Sequence, residues 1–214
     1  MTVSPLAPAA FPAMPDIKGV TLSTAASGMK YTGRDDMLLM RLDGSGSIAA
    51  VFTKSDTAAA PVQWCRQQLG AGGGARAILV NAGNANAFTG DDGMAAVTAC
   101  CEGVAAKLGC TAGEVLTAST GVIGEPLDSA VLAARFDDLT SGSADWQAAA
   151  QAILTTDTFT KGASATATIA GTDDWEQDWT DRVANDVAVE AGWSDAYYGS
   201  FVAGGGGELM ASEL

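Results

Sequence analysis

One stretch, residues 77–124, constrains the fold of this chain more than any other. Ala77-Ile78-Leu79-Val80 is a compact apolar run of strand length. Residues 93–108 then place Met94, Val97, Cys101, Val104 and Leu108 at steps of three and four, the spacing of an amphipathic helix. Asp91 or Asp92 is positioned to cap that helix and Gly109 to end it. Glu114-Val115-Leu116-Thr117-Ala118 is a second apolar run. With 48% hydrophobic residues, 26 glycines and only 7% aromatics, the chain is expected to be a glycine- and alanine-rich α/β protein, a class that places ligands at strand ends. Both strands deliver a small polar cluster there. The first is Asn-Ala-Gly-Asn-Ala-Asn-Ala-Phe-Thr-Gly at 81–90, and the second is Ser-Thr-Gly-Val-Ile-Gly at 119–124.

The flanking segments supply the remaining elements. Pro5, Pro8, Pro12 and Pro15 predict an extended N-terminal arm laid on the body. Residues 19–27 alternate and read as a strand, followed by a turn at 28–35 that contains Lys30, Tyr31 and Arg34. Residues 37–42 read as a buried strand, 43–47 as a hairpin loop and 48–53 as the returning, antiparallel strand. Residues 61–69 predict a short helix with Pro61 in its first turn. The glycines at 70–74 resemble a phosphate cradle only superficially, since no Lys-Ser/Thr follows and Arg76 opens a strand. Residues 127–139 and 144–154 predict two further helices, and 163–170 a strand. There is no internal repeat.

Composition narrows the chemistry. The 214 residues contain no histidine, which excludes Ser-His-Asp and Cys-His pairs within the chain and histidine-ligated metal. Acid–base work falls to carboxylates, lysine, an amino terminus or a partner chain. Cys65, Cys100, Cys101 and Cys110 form no C-x-x-C pair and read as reduced, small apolar residues. The net charge of −14 disfavours nucleic acid and anionic membranes as partners. It is unevenly spread: from Asp173 onward there are ten acids and one base, Arg182, so −9 of the −14 lies there and the composition breaks near Gly171. No apolar run approaches the ~20 residues needed to span a bilayer, and the first residues lack the basic start of a signal peptide. A soluble cytoplasmic protein is the expectation.

Three clusters combine hydroxyls, amides and glycine without concentrated charge: 81–90, 119–124 and 155–161. Such a lining suits a neutral acyl or amide group. Each also has a plainer reading. The stretch 119–124 fits a strand-to-helix turn with a Ser/Thr cap. Asn81, Asn84 and Asn86 fit loop-pinning turns. Thr155, Thr156 and Thr158 fit an element cap, and Lys161 is either a carboxylate ligand or a solvated surface group. No nucleophile has a visible base. One chemistry remains natural without histidine: a threonine at a new N-terminus, activated by its own α-amino group.

Several motifs in order then carry a resemblance. They are Val3-Ser4-Pro5-Leu6-Ala7-Pro8, Lys30-Tyr31 with Gly33-Arg34-Asp35, and Val51-Phe52-Thr53 followed by Ala60-Pro61-Val62. The clusters at 81–90 and 119–124 and Thr155-Thr156-Asp157-Thr158 complete the set. The chain resembles the ornithine acetyltransferase (glutamate N-acetyltransferase) family of arginine biosynthesis from about Val3 to about Ile169. The resemblance implies an α/β (α+β) fold, a four-layer αββα sandwich that is incomplete without a β chain. It implies a precursor that cleaves itself into α and β chains, with the β chain's first threonine carrying acetyl from N-acetylornithine to glutamate in a ping-pong cycle. It assigns the oxyanion hole to Thr120 and Gly121 and substrate contact to Thr155, Thr156 and Thr158. It implies no metal and no organic cofactor, acetyl-CoA serving as donor in some members, and an α2β2 heterotetramer with no nucleic-acid or membrane partner.

The match ends near Ile169. The family continues with a Lys-Gly, a Gly-Met-Ile-Ala-Pro run and an Ala-Thr-Met that holds the cleavage site. Here Gly171 leads into Asp173-Asp174-Trp175-Glu176, and 204–214 contains no Ala-Thr pair. The expected organisation is an α-chain-like domain at 1–170 and an acidic divergent tail at 171–214, with truncation, a shifted frame and divergence as its three origins. Such a chain is expected to be inactive alone. The alternatives are a non-catalytic fragment that binds a β-type chain or an acyl-amino acid, and a related self-processing peptidase, which would need a cleavage threonine.

Overall fold

The computed structural model describes residues 3–5, 7–17, 19–43, 48–72, 74–166, 199–204 and 208–213. The expectation for the acidic segment at 171–198 lies outside the described residues. The fold is mixed α/β. Its central sheet has four strands: β1 (Val20–Ala25), β2 (Met37–Leu42), β4 (Ala77–Asn84) and β5 (Val115–Val122), in the order β1-β2-β4-β5. β1–β2 and β2–β4 are antiparallel, with Leu22 opposite Met40 and Leu39 opposite Leu79. β4 and β5 are parallel, with Ala77 opposite Val115 and Gly83 opposite Gly121. A second sheet has the order β3-β7-β8-β6 and is antiparallel throughout. It consists of β3 (Ile48–Ala49), β7 (Gly199–Gly204), β8 (Glu208–Glu213) and β6 (Ala165–Thr166).

Helix α2 (Gly90–Leu108) makes the crossover that a parallel β4–β5 pair requires. It buries Ala96, Val97, Cys100, Cys101, Val104 and Ala105, and Gly109 closes it in the left-handed conformation at φ 69°. Gly103 lets the Phe136 ring settle on the helix, because a Cβ there would lie 2.6 Å from a ring carbon. Phe136, Leu132 and Leu139 fill the core at 2%, 1% and 0% exposure, so this contact anchors the neighbouring helices. β4 is buried along its whole length, as a strand covered on both faces must be. Helix α1 (Ala60–Gly70), opened by Pro61, lies against β5. The N-terminal arm is held on the body by the Trp146 indole N–H, which donates to the Pro15 carbonyl at 3.1 Å.

Four local expectations change. The returning strand at 48–53 shrinks to β3, which pairs with β7, while β2 takes β1 and β4 as neighbours. The loop residues 44–47 lie outside the described residues. The helix over 127–139 divides into α3 (Ser129–Ala133) and α4 (Phe136–Ser141), because Arg135, at φ −111° and ψ 0°, leaves helical geometry. The Asp128 side chain accepts from the N–H groups of Ala130 and Val131, so α3 starts two residues late. Helix α2 begins earlier than expected, with Thr89 at its cap and Asp91 and Asp92 in its first turn, where they face the positive end of the helix dipole. The fourth concerns residues 119–124 and belongs to the site.

Among the described residues, no helix is long and apolar enough to cross a membrane.

Candidate active site

The stretch 119–124 is not a strand-to-helix turn. β5 runs through Ser119, Thr120 and Gly121 to Val122, and the next helix starts only at Ser129. β4 likewise runs on through Asn81, Ala82 and Gly83 to Asn84. The two polar clusters are therefore the adjacent C-terminal halves of two paired parallel strands, in register Asn81–Ser119, Ala82–Thr120 and Gly83–Gly121. Their side chains lock the pair. The Ser119 hydroxyl donates to Asn81 Oδ1 at 2.6 Å, and Asn81 Nδ2 donates to the Asn84 carbonyl at 2.9 Å.

The glycines at this end are required by packing. Gly121 has φ 135°, and a Cβ on it would stand 2.3 Å from the Gly83 carbonyl carbon and 2.6 Å from the Asn84 nitrogen. Gly83, at φ 102°, is covered by Lys30 and Tyr31, and a Cβ there would stand 2.7 Å from Lys30 Cβ. The Lys30-Tyr31 motif thus roofs the Gly83–Gly121 pair. Lys30 Nζ reaches Glu125 Oε2 at 3.5 Å, just past the β5 cluster.

The ladder decides which amides are available. The Val122 carbonyl accepts from Ala85 N–H, so even-numbered residues of β5 turn their backbone groups toward β4. Odd-numbered residues turn theirs outward, along the free edge of the sheet. Helix α1 covers the first part of that edge. The Trp64 indole donates to the Val115 carbonyl at 2.9 Å, and the Cys65 thiol accepts from Thr117 N–H at 3.4 Å and donates to the Thr117 carbonyl at 3.3 Å. Gly121 has the same parity and lies beyond that cover. Gly121 itself is exposed. The neighbouring Thr120 is half-buried, and its hydroxyl makes no hydrogen bond among the described residues. A backbone N–H and a hydroxyl are the donor types that an acyl oxyanion takes.

The asparagines take the plainer of their two readings. Asn84 Oδ1 accepts from Asn86 N–H at 2.7 Å, while Asn84 Nδ2 donates to the carbonyls of Glu125 and Pro126 at 3.1 and 3.2 Å. Asn86 is fully buried, takes φ 48°, and donates to the Gly93 carbonyl at 3.0 Å. They pin the loops around the strand ends, which keeps the site rigid.

The third cluster is an irregular segment after α5 (Trp146–Ala152). Thr155 is half-buried and Thr156 exposed, and neither hydroxyl is hydrogen-bonded among the described residues. Thr158 Oγ1 accepts from the Ser4 N–H of the N-terminal arm at 3.1 Å. Lys161 pairs with Asp157 at 2.7 Å, so its charge is balanced locally. No hydrogen bond among the described residues joins Thr120 to these threonines. The connection runs through the 30–35 loop, where Arg34 donates from Nη2 to the Leu154 carbonyl at 2.6 Å. The sequence motif displays Lys30, Tyr31 and Arg34 but does not by itself say what they hold. Nor does the sequence single out Asp36, which is fully buried and accepts from the Ser27 N–H and hydroxyl at 2.6 and 2.8 Å. The Asp36 backbone carbonyl accepts from Ala82 N–H at 2.8 Å, so this buried contact fixes the strand beside Thr120.

All four cysteines are free. Burial pushes the Cys100 thiol up to about 12 and raises those of Cys65 and Cys101 as well, so none of the three is an activated nucleophile.

Comparison with known proteins gives the family. The ArgJ family model matches residues 21–176. The chain belongs to the ArgJ family. A relative from Agrobacterium fabrum (strain C58), named arginine biosynthesis bifunctional protein ArgJ, is 52% identical over 173 residues, covering 80% of this chain and 42% of the relative. The ArgJ protein of Rhizobium meliloti (strain 1021) is 50% identical over 172 residues, 79% of this chain and 41% of that one. This ArgJ-family chain therefore spans about two-fifths of the length of the curated relatives it matches. Among solved structures, ornithine acetyltransferase from Mycobacterium tuberculosis, complexed with ornithine, superposes with a TM-score of 0.61 at 37% identity over 65% of this chain and 77% of that chain. The ArgJ structure from Bacillus halodurans gives 0.62 at 25% identity over 92% and 84%.

Proposed function

We propose that this ArgJ-family chain supplies the oxyanion hole and part of the substrate pocket for acetyl transfer from N-acetyl-L-ornithine to L-glutamate, in the cytoplasm. The observation that carries the reading is an exposed Gly121 beside the half-buried Thr120, whose hydroxyl has no partner among the described residues, at a glycine-tight strand end. In the attack, a threonine hydroxyl oxygen bonds to the acetyl carbonyl carbon and its proton passes to the α-amino base. The carbonyl oxygen becomes the oxyanion, held by Thr120 Oγ–H and Gly121 N–H. Collapse expels the ornithine amine with a proton, and the glutamate amine then takes the acetyl group by the reverse steps. Thr155, Thr156 and Thr158 contact the amino-acid part of the substrate. The attacking threonine belongs to a family-type β chain, with which this chain assembles as an α2β2 heterotetramer, and this chain alone is inactive. Acetyl-CoA is an alternative donor, and no metal or organic cofactor takes part.

The test is reconstitution. The purified chain is assayed for acetyl transfer alone and after addition of a β-type chain from an ArgJ relative. Transfer is expected only in the mixture. Thr120→Val should then lower kcat by about a hundredfold, as loss of one oxyanion donor does. A reconstituted Thr120→Val protein with undiminished kcat, or transfer by the chain alone, would refute the assignment.

A further inference from the structure

Arg34 joins the 30–35 loop to the end of α5. Its Nη2 donates to the carbonyls of Gln151 and Ala152, both at 3.3 Å, and to that of Leu154 at 2.6 Å. Its Nε donates to the Asp35 carbonyl at 3.2 Å. The guanidinium also lies over the Tyr31 ring, 4.2 Å from the centroid. The three distant acceptors are the last two carbonyls of α5 and that of the residue just before Thr155, and the Gln151 carbonyl also accepts from the Leu154 N–H at 3.3 Å. A cation there also meets the negative end of the helix dipole. Tyr31, on the other side of the guanidinium, sits against Gly83, the register partner of Gly121.

We infer that Arg34 is a positioning residue that ties the Thr155 segment to the Gly83–Gly121 strand end, so that the amino-acid end and the acyl end of the pocket are held at one spacing. The inference rests on the proposed substrate role of Thr155. Nothing in the contacts of Arg34 requires it to touch substrate. Its planar fork reaches several carbonyls at once while stacking on an aromatic ring, which the single ammonium of lysine does not reproduce. Thr24 strengthens the same loop from below, its hydroxyl donating to Asp35 Oδ2 at 2.5 Å.

The experiment uses the full chain reconstituted with the β-type chain, with N-acetylornithine as probe. Binding is followed by calorimetry, and backbone amide exchange is followed over residues 153–158. Arg34→Ala is expected to speed exchange at 153–158 while leaving β2, β4 and α2 protected, and to weaken binding about tenfold, with Arg34→Lys restoring little of either. Thr155→Val should weaken binding with exchange unchanged. If Arg34 acts through Thr155, adding Arg34→Ala to Thr155→Val should cost little more than Thr155→Val alone, whereas a merely structural loss would add in full. Unchanged exchange at 153–158 in Arg34→Ala, or full additivity in the double variant, overturns the inference. Should Arg34→Ala fail to fold, Arg34→Lys decides by the same measurements. An unsubstituted reconstituted complex that does not bind N-acetylornithine refutes the substrate reading instead, and the exchange pattern still decides whether Arg34 holds the segment.

Discussion

Gly121 and Thr120 are neighbours with opposite demands on their side chains. At Gly121 any Cβ meets backbone on both sides, 2.3 Å from a Gly83 carbon and 2.6 Å from Asn84 nitrogen, in a conformation of φ 135° that other residues rarely adopt. Neither obstacle is a flexible side-chain end, so β4 and β5 would have to part. Gly121→Ala should therefore destabilise the chain by roughly 2–3 kcal/mol, the scale of combined strain and overpacking. Thr120→Val keeps shape and removes only an uncommitted hydroxyl, so its stability should stay within about 1 kcal/mol of the parent. Urea unfolding of both variants checks the pair, and a Gly121→Ala protein as stable as the parent would contradict the close approach. That a glycine follows a hydroxyl-bearing residue at these positions is legible in the motif. That Gly121 faces Gly83 is not, because register between two strands separated by a whole helix is not written in either strand's local pattern. For the same reason the stretch reads as a turn. Glycine and serine are poor strand formers in isolation, and only pairing with β4 draws them into the ladder.

At the scale of elements, the sequence periods place α1, α2, β1, β2 and β4 well, since each carries a complete apolar face of its own. They fail at 127–139, where the apolar residues suit one long helix but the core accepts two short ones. The deciding contact lies between elements: the Phe136 ring rests on Gly103 of α2, at 2% exposure, while Leu132 and Leu139 fill the adjoining space. The C-terminal end of α4 is then tied to β1 and β2. The Ser23 hydroxyl donates to the Leu139 carbonyl at 2.5 Å, and Arg41 donates to the carbonyls of Thr140 and Gly142 at 2.6 and 3.1 Å. Phe136→Ala is expected to cost about 3–5 kcal/mol, the range for deleting a fully buried aromatic ring. Its effect should appear in amide exchange of α2 and α4 before that of β4. A variant that loses less than about 1 kcal/mol by thermal unfolding would show that the ring is not the anchor of these helices.

For the whole molecule, the core contains three thiols that take no part in the chemistry. Cys65, Cys100 and Cys101 are only 6%, 3% and 0% exposed. The sequence presents them as small apolar residues, and their burial has a consequence that composition alone does not state. Desolvation raises all three above the ordinary value of 9.0, Cys100 to about 12, with the neighbouring thiols adding to the rise at Cys101. In the unfolded chain the same thiols ionise near their ordinary value. Below pH 9 both states hold the protons and the thiols contribute their full stabilisation. As pH climbs from 9 toward 12 the unfolded state releases protons that the folded state keeps, so the free energy of unfolding falls with a slope set by that difference. The sign is that of groups whose folded pKa is raised: stability is present at neutral pH and is lost in alkali. Replacing Cys65, Cys100 and Cys101 together by alanine removes this part of the slope. The triple variant, less stable at pH 7 for its lost volume, should therefore lose less stability between pH 8 and 11 than the parent does. Urea midpoints measured across that range decide it. Parallel curves for parent and triple variant would mean that the core thiols ionise as freely in the folded chain as in the unfolded one, which their burial between α1, α2 and β5 does not allow.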